Sequence, residues 1–168
     1  SQGGDISIAA ASVSGDATYG IHAFQRNAAG AGDIDITATG TVTGGIHGML
    51  ASNVGSGEIR ITSTGSVSSA ADGFFGIAAL NSDASGDVVI DANNVSGVDA
   101  GIRVENNGVG VTDLTVRGLV HGGTVGVSVF SDDNQDVRIA NEGVIRNASG
   151  LSSDGAIEAS GGFIDFTN

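Results

Sequence analysis

The sequence predicts an all-β chain wound as a single parallel β-helix (a β-solenoid) of about six coils, and three observations carry the prediction. A five-residue motif returns about every 26 residues from one end of the chain to the other. Within and between its copies apolar residues alternate with polar or small ones, the period of a strand and not of a helix. Finally, 29 of the 168 residues are Gly and none is Pro. That suits a chain in which every coil donates backbone hydrogen bonds to its neighbours and turns sharply between strands. A leucine-rich repeat fits less well, because no segment has the 3.6-residue period of a helix.

The first strand of each coil is read from Gly4-Asp5-Ile6-Ser7-Ile8 and Gly32-Asp33-Ile34-Asp35-Ile36, then from Gly57-Glu58-Ile59-Arg60-Ile61 and Gly86-Asp87-Val88-Val89-Ile90. Later copies are Thr112-Asp113-Leu114-Thr115-Val116, Gln135-Asp136-Val137-Arg138-Ile139 and the altered Gly162-Phe163-Ile164-Asp165-Phe166. A second strand is read from Ser12-Val13, Thr41-Val42, Ser66-Val67, Asn94-Val95, Leu119-Val120 and Gly143-Val144. The third follows a loop, at Gly20-Ile21-His22-Ala23, Gly45-Ile46-His47-Gly48, Gly76-Ile77-Ala78-Ala79, Gly101-Ile102-Arg103-Val104, Gly126-Val127-Ser128-Val129 and Ala156-Ile157-Glu158-Ala159. Three short strands per coil place Ile6, Ile8, Val13 and Ile21 inward in the first coil, with equivalents in each later one. Stacked at about 4.8 Å, six coils make a rod about 30 Å long. Gly corners are expected at positive φ, and Asn27, Asn53, Asn81, Asn106 and Asn107 in the left-handed region after the third strand. The chirality of parallel crossovers predicts a right-handed coil. The repeat runs without a compositional break, so residues 1–168 form one solenoid unit.

Composition bounds the function. Apolar residues make up 40 % of the chain and aromatic residues 4 %, so the core must be built from Val, Ile, Leu and Ala. A net charge of −13 argues against nucleic acid and against anionic membrane as partners, since both select a basic face. No apolar run reaches the roughly 18 residues that span a bilayer, so direct membrane insertion of this segment is not expected. Without Cys there is no disulfide framework and no thiol chemistry.

The run from Gly20-Ile21-His22-Ala23-Phe24 through Gly32-Asp33-Ile34-Asp35-Ile36-Thr37-Ala38-Thr39-Gly40-Thr41-Val42-Thr43-Gly44-Gly45-Ile46 resembles a known pattern. It is similar to the G-I-x-A … G-D-I-x-I-x-x-x-G-x-V-x-G repeats of bacterial autotransporter passenger domains, the large alphaproteobacterial ones in particular, and the similarity covers essentially the whole chain. The resemblance implies secretion through the periplasm and display at the cell surface, tethered through an outer-membrane β-barrel outside this segment. Many such domains act as adhesins. It therefore implies a host cell surface, an extracellular matrix protein or a glycan as partner, or another copy of the rod. The chain opens at the first strand motif and stops two residues after the seventh, with no cap at either end, so it is expected to be a segment of a longer solenoid.

Several side chains are candidates for chemistry. The acids Asp5, Asp33, Glu58, Asp87, Asp113 and Asp136 precede the first strand and would form a column. Neighbouring carboxylates about 4.8 Å apart repel by about 1 kcal/mol in water, which some favourable contact must offset. One such contact is a backbone N–H at each corner; another is Ca²⁺, which takes six to eight oxygens. Asp33, Glu58, Asp87 and Asp113 are therefore weak metal candidates, with no match to the nonapeptide of calcium-binding β-rolls, and no other cofactor is expected. His22 and His47 are expected at one outward position in successive coils, a pair short of the ligands zinc needs but able to make binding sensitive to pH. Phe74 and Phe75 stand in the third-coil loop, one expected to plug the core and the other to anchor a partner. Asp35 with Arg60, and Arg138 with Asp165, are opposite charges one rung apart, and Arg103 stands beside Glu105.

Catalysis has little support. No Ser stands in a G-x-S-x-G elbow, and the longer corners, Ser68 to Gly73 and Asn147 to Gly155, are too short and aromatic-poor to wall a cleft. Ice binding fails because Asp91, Arg117 and Ala140 interrupt the Thr positions. The expected function is thus an adhesive or stalk rod at a bacterial surface. Self-association is the alternative, and a polysaccharide-degrading β-helix enzyme stands further behind.

Overall fold

The structure is a computed structural model that describes residues 3–70, 74–132, 134–148 and 155–168. The first coil carries β1 (Ile6–Ala10), β2 (Val13–Gly15) and β3 (Tyr19–Gln25), and the second β4 (Ile34–Ala38), β5 (Val42–Gly44) and β6 (His47–Asn53). In the next two coils the first and second strands are continuous: β7 (Ile59–Ser69) leads to β8 (Ile77–Asn81), and β9 (Val88–Gly97) to β10 (Ala100–Asn106). Three strands return in β11 (Thr112–Val116), β12 (Leu119–Gly122) and β13 (Val125–Ser131), then in β14 (Val137–Asn141), β15 (Val144–Asn147) and β16 (Ile157–Ser160); β17 (Ile164–Thr167) opens a further turn. The chain is a parallel β-solenoid of about six turns.

First and second strands share an eleven-stranded sheet, in which β1-β4-β7-β9-β11-β14-β17 is the main path. Third strands form a six-stranded sheet in the order β3-β6-β8-β10-β13-β16. Parallel pairing in register turns each sequence position into a column. Ile8, Ile36, Ile61, Ile90, Leu114, Ile139 and Phe166 are one such column, and Ile21, Met49, Ile77, Ile102, Val127 and Ile157 are another. Aliphatic side chains from both sheets meet in one core, where Ile36, Met49, Ile61, Ile77 and Ile102 are fully buried. In the first coil Ile21 is buried, while Ile6, Ile8 and Val13 pack against the core from its end.

The corners depart from expectation. No non-Gly residue among those described has positive φ, and among the glycines only Gly3 has. Glycine is required instead by close approach. A Cβ at Gly97 would lie 1.8 Å from the Ala100 carbonyl oxygen, and one at Gly48 2.6 Å from that of Gly76. The asparagines do not adopt left-handed turns; three of them point inward. Gln25, Asn53, Asn81, Asn106 and Ser131 stack as a buried polar column at the corner after the third strand. There Asn53 Nδ2 donates to Gly57 O (2.6 Å) and Asn53 Oδ1 accepts from Gly55 N–H (2.9 Å), so one side chain satisfies the turning backbone on both sides. Asn27 lies beyond the first corner, where its Oδ1 accepts from Ala29 N–H (3.1 Å), and Asn107 is exposed.

Three register differences matter for function. Met49, not Ile46, pairs with Ile21, so the third strand of the second coil is set three residues later than the Gly45-Ile46-His47-Gly48 reading. In the fifth coil Thr112, not Leu114, pairs with Val88, which moves Asp113 onto the outward position of Val89. In the sixth, Ile145 pairs with Val120 and Val144 turns out to solvent. Within the two longer corners, residues 71–73 and 149–154 lie outside the described residues.

Candidate binding face

The outer side of the six-stranded sheet carries most of the aromatic side chains of the first three coils. Tyr19, His22 and Phe24 project from β3, and β6 contributes His47. Register puts His47 on Tyr19, and His22 on Leu50, so the two histidines do not share a position as the sequence suggested. They nonetheless join one cluster. Tyr19 lies 4.4 Å from His22 and 5.6 Å from His47 between ring centroids, and His22 stacks on Phe24 at 6.1 Å. His47 stacks on Phe75 at 5.3 Å and receives Phe74 edge-on at 5.2 Å. All four residues proposed as partner contacts, His22, His47, Phe74 and Phe75, are thus gathered with Tyr19 and Phe24.

Neither Phe74 nor Phe75 plugs the core; both are half-buried against His47. The backbone fixes them there. Asp99 N–H donates to Phe74 O (3.0 Å), Gly48 N–H donates to Phe75 O (3.3 Å), and Phe75 N–H donates to His47 Nδ1 (3.3 Å). That last bond requires a lone pair on Nδ1 and so selects the neutral imidazole with its proton on Nε2. Burial likewise holds His47 below the usual histidine value of 6.5. Beneath the rings, Leu50 is 8 % and Ala78 1 % exposed although both sit on the outer side of the sheet. At the rim, Arg26 lies over the Phe24 ring at 5.0 Å. Further along the sheet Arg103 lies over Phe130 at 4.2 Å and pairs with Glu105 at 2.7 Å.

The acidic column has another use. Asp5 Oδ1 accepts from Asp33 N–H (3.1 Å), Asp33 Oδ1 from Glu58 N–H (2.8 Å) and Asp87 Oδ1 from Val111 N–H (2.8 Å). Each carboxylate caps the backbone of the coil above, which offsets the repulsion within the column. Val111 takes the column position expected for Asp113, and Asp113 pairs instead with Arg138 at 3.5 Å. Among the described residues no three His, Cys, Asp or Glu side chains gather as a metal site requires. The two expected rung pairs are in register, but their guanidiniums turn elsewhere: Arg60 reaches Glu58 (3.1 Å), and Arg138 reaches Asp113 and Asp136. Thr115, rather than Arg117, continues the position of Thr37, Thr62 and Asp91.

Tyr19, Phe24 and Leu50 were not singled out from the sequence. Tyr19 is the chain's one Tyr, but strict alternation two residues before inward Ile21 would turn it to the inner face, so its place among the rings was not readable from the pattern. Compared with models of protein families, with curated proteins and with solved structures, the chain matches none.

Proposed function

We propose that this chain is a non-catalytic binding rod, a segment of an autotransporter-type passenger domain that carries an aromatic docking face away from a bacterial surface. Its partner is a host cell surface, a matrix protein or a glycan. The observation that carries the reading is the six-residue ring cluster of Tyr19, His22, Phe24, His47, Phe74 and Phe75 on the outer side of the sheet. Stacking alone does not call for rings outside the core, and aromatic side chains dominate binding hot spots. The repeat resemblance supports surface display, and the acid-rich surface supports a soluble, extended rod.

The test is binding of the purified chain to cultured cells and to matrix-coated surfaces, with Tyr19→Ala, Phe74→Ala and Phe75→Ala compared separately after circular dichroism has verified their folding. Loss of an anchor ring should weaken binding about tenfold or more. Unchanged binding in all three folded variants would sink the aromatic reading. Sedimentation of the chain alone separates adhesion from self-association, which would appear as concentration-dependent dimers lost in the same variants.

A further inference from the structure

A second surface, on the other sheet, has different chemistry. Outward positions of the second strands form the column Ser14, Thr43, Ser68, Ser96, His121 and Arg146, each in register with the next. Beside it run Ser66, Asn94 and Leu119. Between the two columns lies an open groove of about 270 Å³, floored by buried Val67 and Val95, with His121 and Arg146 at one end. No acid lines it, although the chain carries 19 Asp and Glu. Other surface cavities are lined by Asp113 and Asp165, or by Glu105.

Arg146 is singular among the six arginines. Arg60, Arg103, Arg117 and Arg138 are in ion pairs, and Arg26 lies over the Phe24 ring. Arg146 is exposed and has neither an acid nor a ring against it among the described residues. Half-buried His121 is its partner across one rung, so the imidazole and the guanidinium occupy adjacent positions of one outward column. Exposed Asn94 accepts from Leu119 N–H on its Oδ1 (3.0 Å), and the Ser68 and Ser96 hydroxyls follow at coil spacing, that of Ser68 donating to Thr43 Oγ1 (3.4 Å) with its lone pairs left to accept.

We infer that this groove binds the carboxylate-bearing terminal sugar of a glycan, its carboxylate on Arg146 and His121 and its hydroxyls along Ser96, Ser68 and Asn94. A guanidinium takes a carboxylate through two parallel hydrogen bonds, and a row of hydroxyl and amide groups suits a ligand rich in hydroxyls. Leu119 offers an apolar edge for ring C–H groups. One arginine in a chain of net charge −13 selects a ligand with a single anionic group over a polyanion. The groove is on a different sheet from the aromatic face, so either can fail without the other.

The test is titration of the isotope-labelled chain, followed by NMR, with sialyllactose, glucuronic acid, neutral lactose and a heparin oligosaccharide. The acidic sugars should shift Ser96, His121 and Arg146 with a Kd of about 1 mM. Binding should weaken about tenfold in Arg146→Gln, and stay unchanged in Arg60→Gln. The inference is overturned if no groove resonance moves at about 10 mM sugar, if Arg146→Gln binds as well as the parent, if lactose binds equally, or if heparin binds more tightly than the monoanionic sugars.

Discussion

Replacing Asn106 by Ala tests whether the buried amide column holds the solenoid's corner. Asn106 is fully buried. Its Oδ1 accepts from Gly108 N–H (3.2 Å), and its Nδ2 donates to Gly110 O (3.2 Å) and Thr112 Oγ1 (3.2 Å). Three such bonds are worth about 1 kcal/mol each, and stranding the buried Gly108 N–H adds to the loss, so the variant should be destabilised by about 3–4 kcal/mol. In a chain of this length that lowers Tm by about 10 °C. Asn107→Ala, one position along and exposed, should change stability by no more than about 0.5 kcal/mol. Asn106→Asp should be worse than Ala at pH 7, because it keeps the acceptor but buries a charge without its donors, and should recover as acid restores a proton. Urea and thermal melts measure the global effect. Hydrogen exchange at Gly108 and Thr112 measures the local one, which matters because repeat arrays can unfold by parts. A loss under about 1 kcal/mol for Asn106→Ala, or an equal loss for Asn107→Ala, would refute the argument.

Three further outcomes are expected. His47 is held below its ordinary value of 6.5, so below that pH the unfolded chain takes up more protons than the folded one and stability falls; above it the contribution is fully present. His22 faces it from β3, and the difference between the stability–pH profiles of the parent and His47→Phe isolates this one group; identical profiles would rule it out. Gly97→Ala should cost about 3 kcal/mol, because its Cβ meets backbone at 1.8 Å, whereas Gly4→Ala meets nothing within 4 Å and should be neutral in the same melts. Asp33→Asn keeps the acceptor for Glu58 N–H and should leave stability within about 0.5 kcal/mol, Asp33→Ala should cost about 1 kcal/mol, and melts in chelator and in millimolar calcium should coincide; a calcium-dependent rise abolished by Asp33→Asn would restore a metal role to the acids.

The fold was legible because inward alternation and Gly corners are selected by stacking itself, coil after coil. Register was less legible, because several local matches compete and only the backbone decides among them. Gly45-Ile46-His47-Gly48 copies Gly20-Ile21-His22-Ala23 more closely than Gly48-Met49-Leu50-Ala51 does, yet the second is its partner. Counting back from the amide corner would have resolved it: Ile21, Met49, Ile77 and Ile102 each stand four residues before Gln25, Asn53, Asn81 and Asn106. The same corner explains the fifth coil. Thr112 is tolerated at an inward position because Asn106 Nδ2 satisfies its hydroxyl, so a polar residue fills a place where an aliphatic one was sought.

Such slips hide function more than fold. A one-residue shift leaves the coil intact but exchanges the faces of every side chain in the strand. With Val144 aligned on Val120, Arg146 falls opposite Gly122 and looks like a lone surface charge. With Ile145 in that place, Arg146 stands over His121 at the end of a row of hydroxyls. The three-residue shift in the second coil likewise moves a side chain to another column: the motif set His47 on His22 as a metal-like pair, whereas the structure sets it on Tyr19 within a stack of rings. In a solenoid the inward positions and corners serve stacking, so recognition must be built from outward columns. Those columns exist only once register is known. The two faces argued for here, rings on one sheet and an acid-free groove on the other, are both consequences of register, and each can be removed by a substitution that leaves the core untouched.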